Sequence, residues 1–536
     1  MWDFIIVGSG FGGSVSALRL AEKGYRVLVL EKGRRWRPEE FVRTNWNVRR
    51  WLWLPALALR GPFKMTFLRH ITALSGVGVG GGSLVYANTL PVPTPAFFSA
   101  PQWRELADWQ RELEPHYRTA LRMLGAVPNP HLTYPDEVLA DVARDLRLPP
   151  PRATDVAVFF GEPGVTVPDP YFGGEGPARA GCRLCGGCMT GCRYNAKNTL
   201  DRNYLYLAER RGVEVRPEHE VTWIRPLRDD PSGGFELEAR TGLRWPSWRR
   251  GRVSFRARRV ILAGGVVGTV PLLLGLRESP AGLPRLSPRL GDFVRTNSEA
   301  LLGVVSRRRD RKMSEGVAIT SILQTDPHST LEPVRYSEGS GFFRLLQTPH
   351  APGNGPLGRI ALSFVAAFRH PLATLRAYTV PDWARHTMIL LYMRTIDSHL
   401  ALRRRRTIRT GYRRGTDSTL ASGPAPTAAI PEATELAERV AAKVDGYVGS
   451  LATETILGIP TTAHLLGGAV IGGSPEQGVI GPDHQVWGYP GLYVIDGSAV
   501  PANPGVNPSL TITALAERAM TLIPAKSLLD KRVAAS

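Results

Sequence analysis

Phe4-Ile5-Ile6-Val7-Gly8-Ser9-Gly10-Phe11-Gly12-Gly13, then a run over 14–23, then Tyr25 to Leu30 with Glu31 at its end, is the stretch that decides the fold. Residues 4–7 read as a buried strand, because an unbroken apolar run leaves no solvent face. Gly8 to Gly13 read as a turn. Val15, Leu18 and Leu20 mark a helix over 14–23, and Gly24 ends it. Tyr25 to Leu30 is a second strand. Strand, glycine turn, helix and strand within about thirty residues match a dinucleotide-binding unit. Gly8, Gly10 and Gly13 spell G-x-G-x-x-G: one glycine for the tight turn, one for approach of a pyrophosphate, one for close helix–strand packing. The helix N-terminus offers free N–H groups and the positive end of its dipole to phosphate. Glu31 stands where a carboxylate accepts from a ribose hydroxyl and disfavours a 2′-phosphate. The motif predicts a dinucleotide and does not choose between FAD and NAD.

Outward from this unit, residues 72–90 are dense in glycine (Gly76, Gly78, Gly80, Gly81, Gly82) and continue into Leu84-Val85-Tyr86-Ala87-Asn88. So many glycines let backbone approach a ligand. The preceding segment, 46–70, mixes Trp46, Trp51, Trp53, Leu54, Leu57, Phe63 and Phe67 with Arg49, Arg50, Arg60, Lys64 and Arg69. It reads first as a lid packed on its own domain, with an interfacial segment as the alternative. Helices are expected over 100–125 and 199–211. A second crossover runs from an apolar strand at 259–263 through Gly264-Gly265 into a helix ending near Leu274. A last strand at 492–495 enters Asp496-Gly497, and 509–524 reads as a helix. The arginine run Arg403 to Arg406 and the Pro/Ala/Gly stretch 421–431 read as loop.

All four cysteines, Cys182, Cys185, Cys188 and Cys192, lie within eleven residues. The spacing C-x2-C-x2-C-x3-C is that of ferredoxin loops, and predicts an iron–sulfur cluster, 4Fe-4S or 3Fe-4S. Tetrahedral zinc and paired disulfides are the alternatives. His464 precedes Leu465-Leu466-Gly467-Gly468, glycines that leave room for a ligand, and a neutral imidazole accepts a hydroxyl proton near neutral pH. Asn507, between Pro504 and Pro508, is placed to orient an oxygen.

The chain has 536 residues, 43% hydrophobic and 21% charged, so it is globular and long enough for two domains. No apolar run reaches the length of a membrane span, and the opening lacks the pattern of a secretory leader, so a cytoplasmic protein is expected, peripheral to the membrane at most. The net charge of +20 is carried by scattered arginines, with no nucleic-acid motif beside them. A nucleic-acid partner is excluded on that ground.

Taken together these pieces resemble the glucose–methanol–choline (GMC) flavin oxidoreductases, and within them the cholesterol-oxidase-like members. The matching stretches are G-S-G-F-G-G with Glu31, G-V-G-G-G-S-L-V at 78–85, the glycine turn near 264, A-H-L-L-G-G at 463–468, and Y-V-I-D-G-S with G-V-N-P at 493–508. The resemblance implies an α/β fold: a Rossmann-like FAD domain, and an α+β substrate domain built on an antiparallel sheet. The FAD domain would comprise 1–45, 195–300 and 455–536, and the substrate domain 46–194 and 301–454, with the cysteine loop at 182–192. FAD would be held by Phe11, Gly12 and Glu31, by Gly82 and the 86–89 segment (Tyr86, Ala87, Asn88, Thr89), by Val221, and by Asp496, Gly497, Asn507 and Pro508. His464 and Asn507 match the family's active-site pair. Glu338 is the nearest candidate for the glutamate that supports isomerisation of a sterol double bond. The implied substrate is a hydrophobic alcohol. The cysteine loop resembles that of cluster-bearing sugar dehydrogenases, which implies electrons leaving to a carrier protein or quinone in place of oxygen.

Overall fold

The computed structural model describes residues 1–527 apart from 228–232, 244–249, 352–355, 370, 372–374 and 376–377. Two seven-stranded sheets organise these residues. In the first, Trp2–Val7 lies between two parallel neighbours, Val27–Leu30 and the long strand Gly251–Leu262. Glu214–Arg216 extends the parallel part past Val27–Leu30. Gly251–Leu262 serves two partners in turn. Its first half pairs antiparallel with Phe235–Thr241, which pairs with His219–Pro226, and its end pairs parallel with Leu492–Val494. Every residue of Val27–Leu30 is buried, as expected of a parallel strand covered on both faces.

The first helix spans Phe11–Glu22 and begins at the turn itself. It packs beside helix Ser509–Thr521, and Arg19 pairs with Glu517 at 2.8 Å. Helix Trp109–Met123 joins the same core through Trp109, Leu113 and Tyr117, whose hydroxyl lies 2.9 Å from Thr511 Oγ1. The arginine run is not a loop. Arg403 to Arg406 close the strand Leu400–Arg406, which forms a hairpin with Arg414–Leu420. Leu400 and Leu402 point into the first core, while Arg404 and Arg414 pair with Glu278. Buried leucines thus fix a strand that the charges alone conceal.

The second sheet is antiparallel throughout, in the order 347–349, 446–451, 300–306, 387–394, 329–334, 321–326 and 152–153. Its period of two separates its faces. Leu302 and Val304 pack under helices Tyr134–Asp145 and Pro431–Lys443, whereas Leu301 and Gly303 line a cavity. The hairpin Phe63–Phe67/Thr72–Gly76 takes Thr461–Thr462 as a third, parallel strand, tying the lid segment to the approach to His464. In that lid Trp51 is fully buried, stacked on Phe63 at 4.6 Å and edge-on to Phe342 and Phe343. Among the described residues no helix is long and apolar enough to cross a membrane.

Candidate active site

A cavity of about 670 Å³ is lined at one end by the first sheet's glycine turn and at the other by the second sheet. The nucleotide end is built from backbone. Gly8 has φ +103, and a Cβ at Gly12 would lie 1.7 Å from Ile495 O, so only glycine lets the turn close against the last strand. Gly81 packs on Gly10, where a Cβ would approach Gly10 Cα to 2.7 Å. The two glycine stretches read separately in the sequence are therefore one wall. Glu31 also lines the cavity. Its Oε2 accepts from Ser9 N (3.1 Å) and Ser9 Oγ (2.8 Å), and its Oε1 from Gly33 N (2.8 Å). These contacts fix the carboxylate and leave one lone pair, on Oε1, free for a ribose hydroxyl.

The helix Phe11–Glu22 begins at this wall with no side-chain cap, so its free N–H groups face the cavity. Gly265 and Gly268, at the start of helix Val266–Arg277, also line it, and a Cβ at either would meet nothing within 4 Å. This uncapped helix end, fixed carboxylate and glycine-walled space fit FAD. Asp496 joins the second crossover to the last strand, accepting from Gly265 N (2.8 Å), Thr269 Oγ1 (2.6 Å) and Ser498 N (2.8 Å). Burial raises the Asp496 carboxyl against the pull of these donors.

Toward the second sheet, His464 and Asn507 meet. Asn507 Nδ2 lies 3.5 Å from His464 Nε2, and both residues line the cavity. His464 Nδ1 lies 2.5 Å from Glu299 Oε2, whose other oxygen accepts from Ala463 N at 2.7 Å. Glu332, fully buried, interacts with the Asn507 side chain, and burial pushes its carboxyl up to about 8. Beyond the pair the walls are mostly apolar, with Leu301, Val334, Phe343, Trp383, Ile389 and Leu391 beside the polar Gln347 and Ser450.

A family model described as GMC oxidoreductase matches residues 390–516, and one described as an NAD(P)-binding Rossmann-like domain matches 6–37. The chain is 47% identical to a cholesterol oxidase of Mycobacterium tuberculosis, covering 99% of this chain and 92% of that one. It is 44% identical to a cholesterol oxidase of Acinetobacter baumannii, covering 99% and 96%. The chain belongs to the GMC oxidoreductases. It is an FAD-dependent alcohol oxidoreductase. A 2-methyl-1,2-propanediol dehydrogenase of Mycolicibacterium austroafricanum is 26% identical over the whole chain and 97% of its own. Pyridoxine 4-oxidase from Mesorbium loti shares the fold, with a TM-score of 0.62 at 16% identity over 97% of this chain and 99% of that one.

In this GMC enzyme the sequence-predicted residues Gly8, Gly10, Phe11, Gly12, Glu31, Gly82, Tyr86, Ala87, Thr89, Val221, Asp496, Gly497 and Pro508 line the cavity with His464 and Asn507. Gly13 and Asn88 lie behind it. A Cβ at Gly13 would meet Gly8 O at 2.1 Å, and Asn88 is fully buried in left-handed backbone. Glu338 is elsewhere. Its side chain is 54% exposed and pairs with Arg385 at 3.6 Å, so the glutamate beside Asn507 is Glu332.

The cysteine loop also departs from expectation. None of the four cysteines is in a disulfide, and Cys185 is exposed where Leu184 and Gly186 turn the chain through left-handed backbone. Among the described residues no three His, Cys, Asp or Glu side chains are grouped to hold a metal ion. Burial pushes the Cys182 and Cys188 thiols up, Cys188 to about 12. The loop does reach the cavity wall. Met189 lines it, and Lys197 Nζ donates to Leu84 O (3.2 Å), Tyr86 O (2.8 Å) and Cys188 O (2.8 Å). Sequence reasoning missed Glu299, Glu332 and Lys197, single charged residues without a local motif. Only Glu332 carried a signal, its place between Leu331 and Pro333-Val334 in a strand.

Proposed function

We propose that this enzyme oxidises the hydroxyl of a sterol, or of a similarly bulky apolar alcohol, to a ketone. The observation that carries this reading is a largely apolar chamber lined by one histidine and one asparagine that meet, His464 and Asn507. An apolar pocket with few convergent polar groups favours a ligand of that character, and the names of the 47% and 44% identical relatives agree with it. Bound FAD supplies the hydride acceptor at N5. His464 Nε2 takes the hydroxyl proton. Asn507 holds the substrate oxygen against His464. Trp51, Phe63 and Phe343 close the lid and exclude water. In this reading Glu332 replaces Glu338 as the acid–base group for any double-bond shift. Exposed Leu54, Leu57, Phe67, Phe364 and Phe368 support uptake of substrate from a lipid surface.

Oxygen is the acceptor in the first reading. A second, in which an iron–sulfur cluster on the cysteine loop passes electrons to a carrier protein or quinone, is favoured by one observation. Lys197, Arg179 and Arg335 are buried around the loop (2%, 1% and 1% exposed), and among the described residues none has a carboxylate at ion-pair distance. Buried cations call for a compensating charge, which a thiolate-held cluster supplies.

Anaerobic addition of cholesterol to flavin-loaded protein tests the reading. Bleaching of the flavin is expected. Unchanged flavin in protein that binds FAD fully rejects the sterol. Iron and acid-labile sulfide assayed on the same sample separate the two acceptor readings.

A further inference from the structure

Residues 296–299 lie behind the His464–Asn507 pair and touch the loops that carry both. Asn297 and Ser298 sit in left-handed backbone, with φ of 60 and 44. Such backbone persists in a non-glycine residue only where surroundings enforce it. Here they do. Asn297 N donates to Asn503 Oδ1 (3.1 Å), its Nδ2 donates to Val506 O (3.0 Å), and its Oδ1 accepts from Gly505 N (2.9 Å). Ser298 Oγ donates to Ile396 O (2.8 Å) and accepts from Asn503 Nδ2 (3.3 Å). The 503–506 loop that presents Asn507 is therefore pinned to residue 297. Two residues on, the fully buried Glu299 side chain reaches His464 Nδ1 and Ala463 N.

We propose that Glu299 is a positioning residue, and that 296–299 is one clamp setting both members of the pair. The inference rests on the reading of His464 as proton acceptor. Glu299 Oε1 already accepts from Ala463 N, and as a carboxylate Glu299 presents only lone pairs at Oε2, so Oε2 is an acceptor toward Nδ1. Two lone pairs facing at 2.5 Å would repel, so Nδ1 carries the hydrogen. That leaves the Nε2 lone pair toward Asn507 and the substrate. A histidine whose tautomer is fixed by a carboxylate need not reorganise when the hydroxyl proton arrives. The strain at 297–298 has a use on this account: it carries one short segment from the Asn507 loop to the His464 loop.

Nitrogen NMR of protein labelled at histidine reads the tautomer directly. For His464, assigned by its loss in His464→Ala, a protonated Nδ1 and an unprotonated Nε2 are expected in flavin-loaded enzyme. Glu299→Gln offers only one accepting oxygen to two donors. With cholesterol as the probe it should slow flavin reduction at saturation about 10- to 100-fold, with the half-saturating concentration changed less than about twofold and FAD content unchanged. Glu299→Asp keeps two accepting oxygens and should recover much of the rate. Native-rate reduction in Glu299→Gln, or a protonated Nε2 in the resting enzyme, overturns the proposal. If Glu299→Gln fails to hold FAD, the tautomer spectrum of the native protein still decides. Native-rate reduction in His464→Ala sinks the proposed function first, whereas the same result in Glu299→Gln alone sinks only this inference.

Discussion

The two ends of the cavity are built on different principles. The nucleotide end is made of backbone: Gly8 closes on Ala263 and Gly264, Gly12 on Ile495 and Gly81 on Gly10, with no side chain between them. The alcohol end is made of side chains from segments far apart in sequence: Glu299, Glu332, His464 and Asn507. Where the nucleotide end closes on backbone, at Gly8, Gly12 and Gly81, it is intolerant of an added atom, since each contact is also a fold contact. A side-chain-built site can lose one group, keep its fold and lose only chemistry. The contrast predicts that substitutions at Gly8, Gly12 and Gly81 abolish the protein, while those at the second end separate binding from turnover.

The largest effect is expected from Gly12→Ala. A Cβ there would overlap Ile495 O at 1.7 Å, and the backbone on both sides belongs to the central sheet and its first helix. Overpacking costs about 1–3 kcal/mol where a site can relax, and more where it cannot. The expected outcome is little soluble protein and no flavin in what remains, read from the ratio of flavin to protein absorbance. A Gly12→Ala enzyme that carries full FAD would break the comparison at its stronger end.

Next comes His464→Ala. It removes the proton acceptor while leaving the glycine wall untouched, so FAD should remain bound. General-base help is typically worth about 10²–10⁴ in rate, and stopped-flow reduction of the flavin by cholesterol should fall by that factor. A variant that loses flavin along with activity would show that the two ends are not separable.

This difference also explains what was legible in the sequence. Gly8 to Gly13, Glu31 and the 259–274 crossover are local patterns with a fixed physical meaning, and the structure has its helices there at Phe11–Glu22 and Val266–Arg277. His464 and Asn507 were legible through flanking glycines and prolines and through family likeness. Glu299 was not, because nothing local to it says that a chain reversal at Asn297–Ser298 will bring it to a histidine 165 positions later. Glu332 was not legible for want of the register: it faces Leu391 inside a sheet, whereas Glu338 lies past the end of the same strand. The cysteine spacing described a loop correctly and said nothing of Cys185 turning to the surface.

A third, smaller effect concerns the buried carboxyls behind the alcohol end. Burial lifts Glu332 from its ordinary 4.5 to about 8, and Glu454 likewise. Between those two values the folded chain holds protons that the unfolded chain has released. The stability this contributes is therefore full below about pH 4.5 and is lost as pH rises through about 8. Each such group tilts stability downward by at most about 1.4 kcal/mol per pH unit in that window. Glu332→Gln removes one of them. The unfolding temperature of flavin-loaded protein should fall with pH between 5 and 8 in the native enzyme, and fall less steeply in the variant. Parallel slopes would mean that Glu332 is ionised in the fold, and that the space beside Asn507 is wetter than its burial implies.

The smallest effect is expected where the sequence pointed and the structure did not. Glu338→Gln breaks an exposed ion pair with Arg385, 3.6 Å long and open to solvent on both sides. Such pairs contribute little because water and side-chain entropy offset the attraction. The change in stability should stay below about 0.5 kcal/mol, and the rate of flavin reduction and the position of the double bond in the product should match the native enzyme. Glu332→Gln should keep the first and lose any double-bond shift the native enzyme performs. Measuring both variants on one sterol makes the pair its own control, since the two residues lie six apart and differ in burial. If Glu338→Gln is the variant that changes the product, the exposed edge of the second sheet moves during turnover. The alcohol end would then be assembled only when substrate is bound, and side chains that converge at rest would be half of the site.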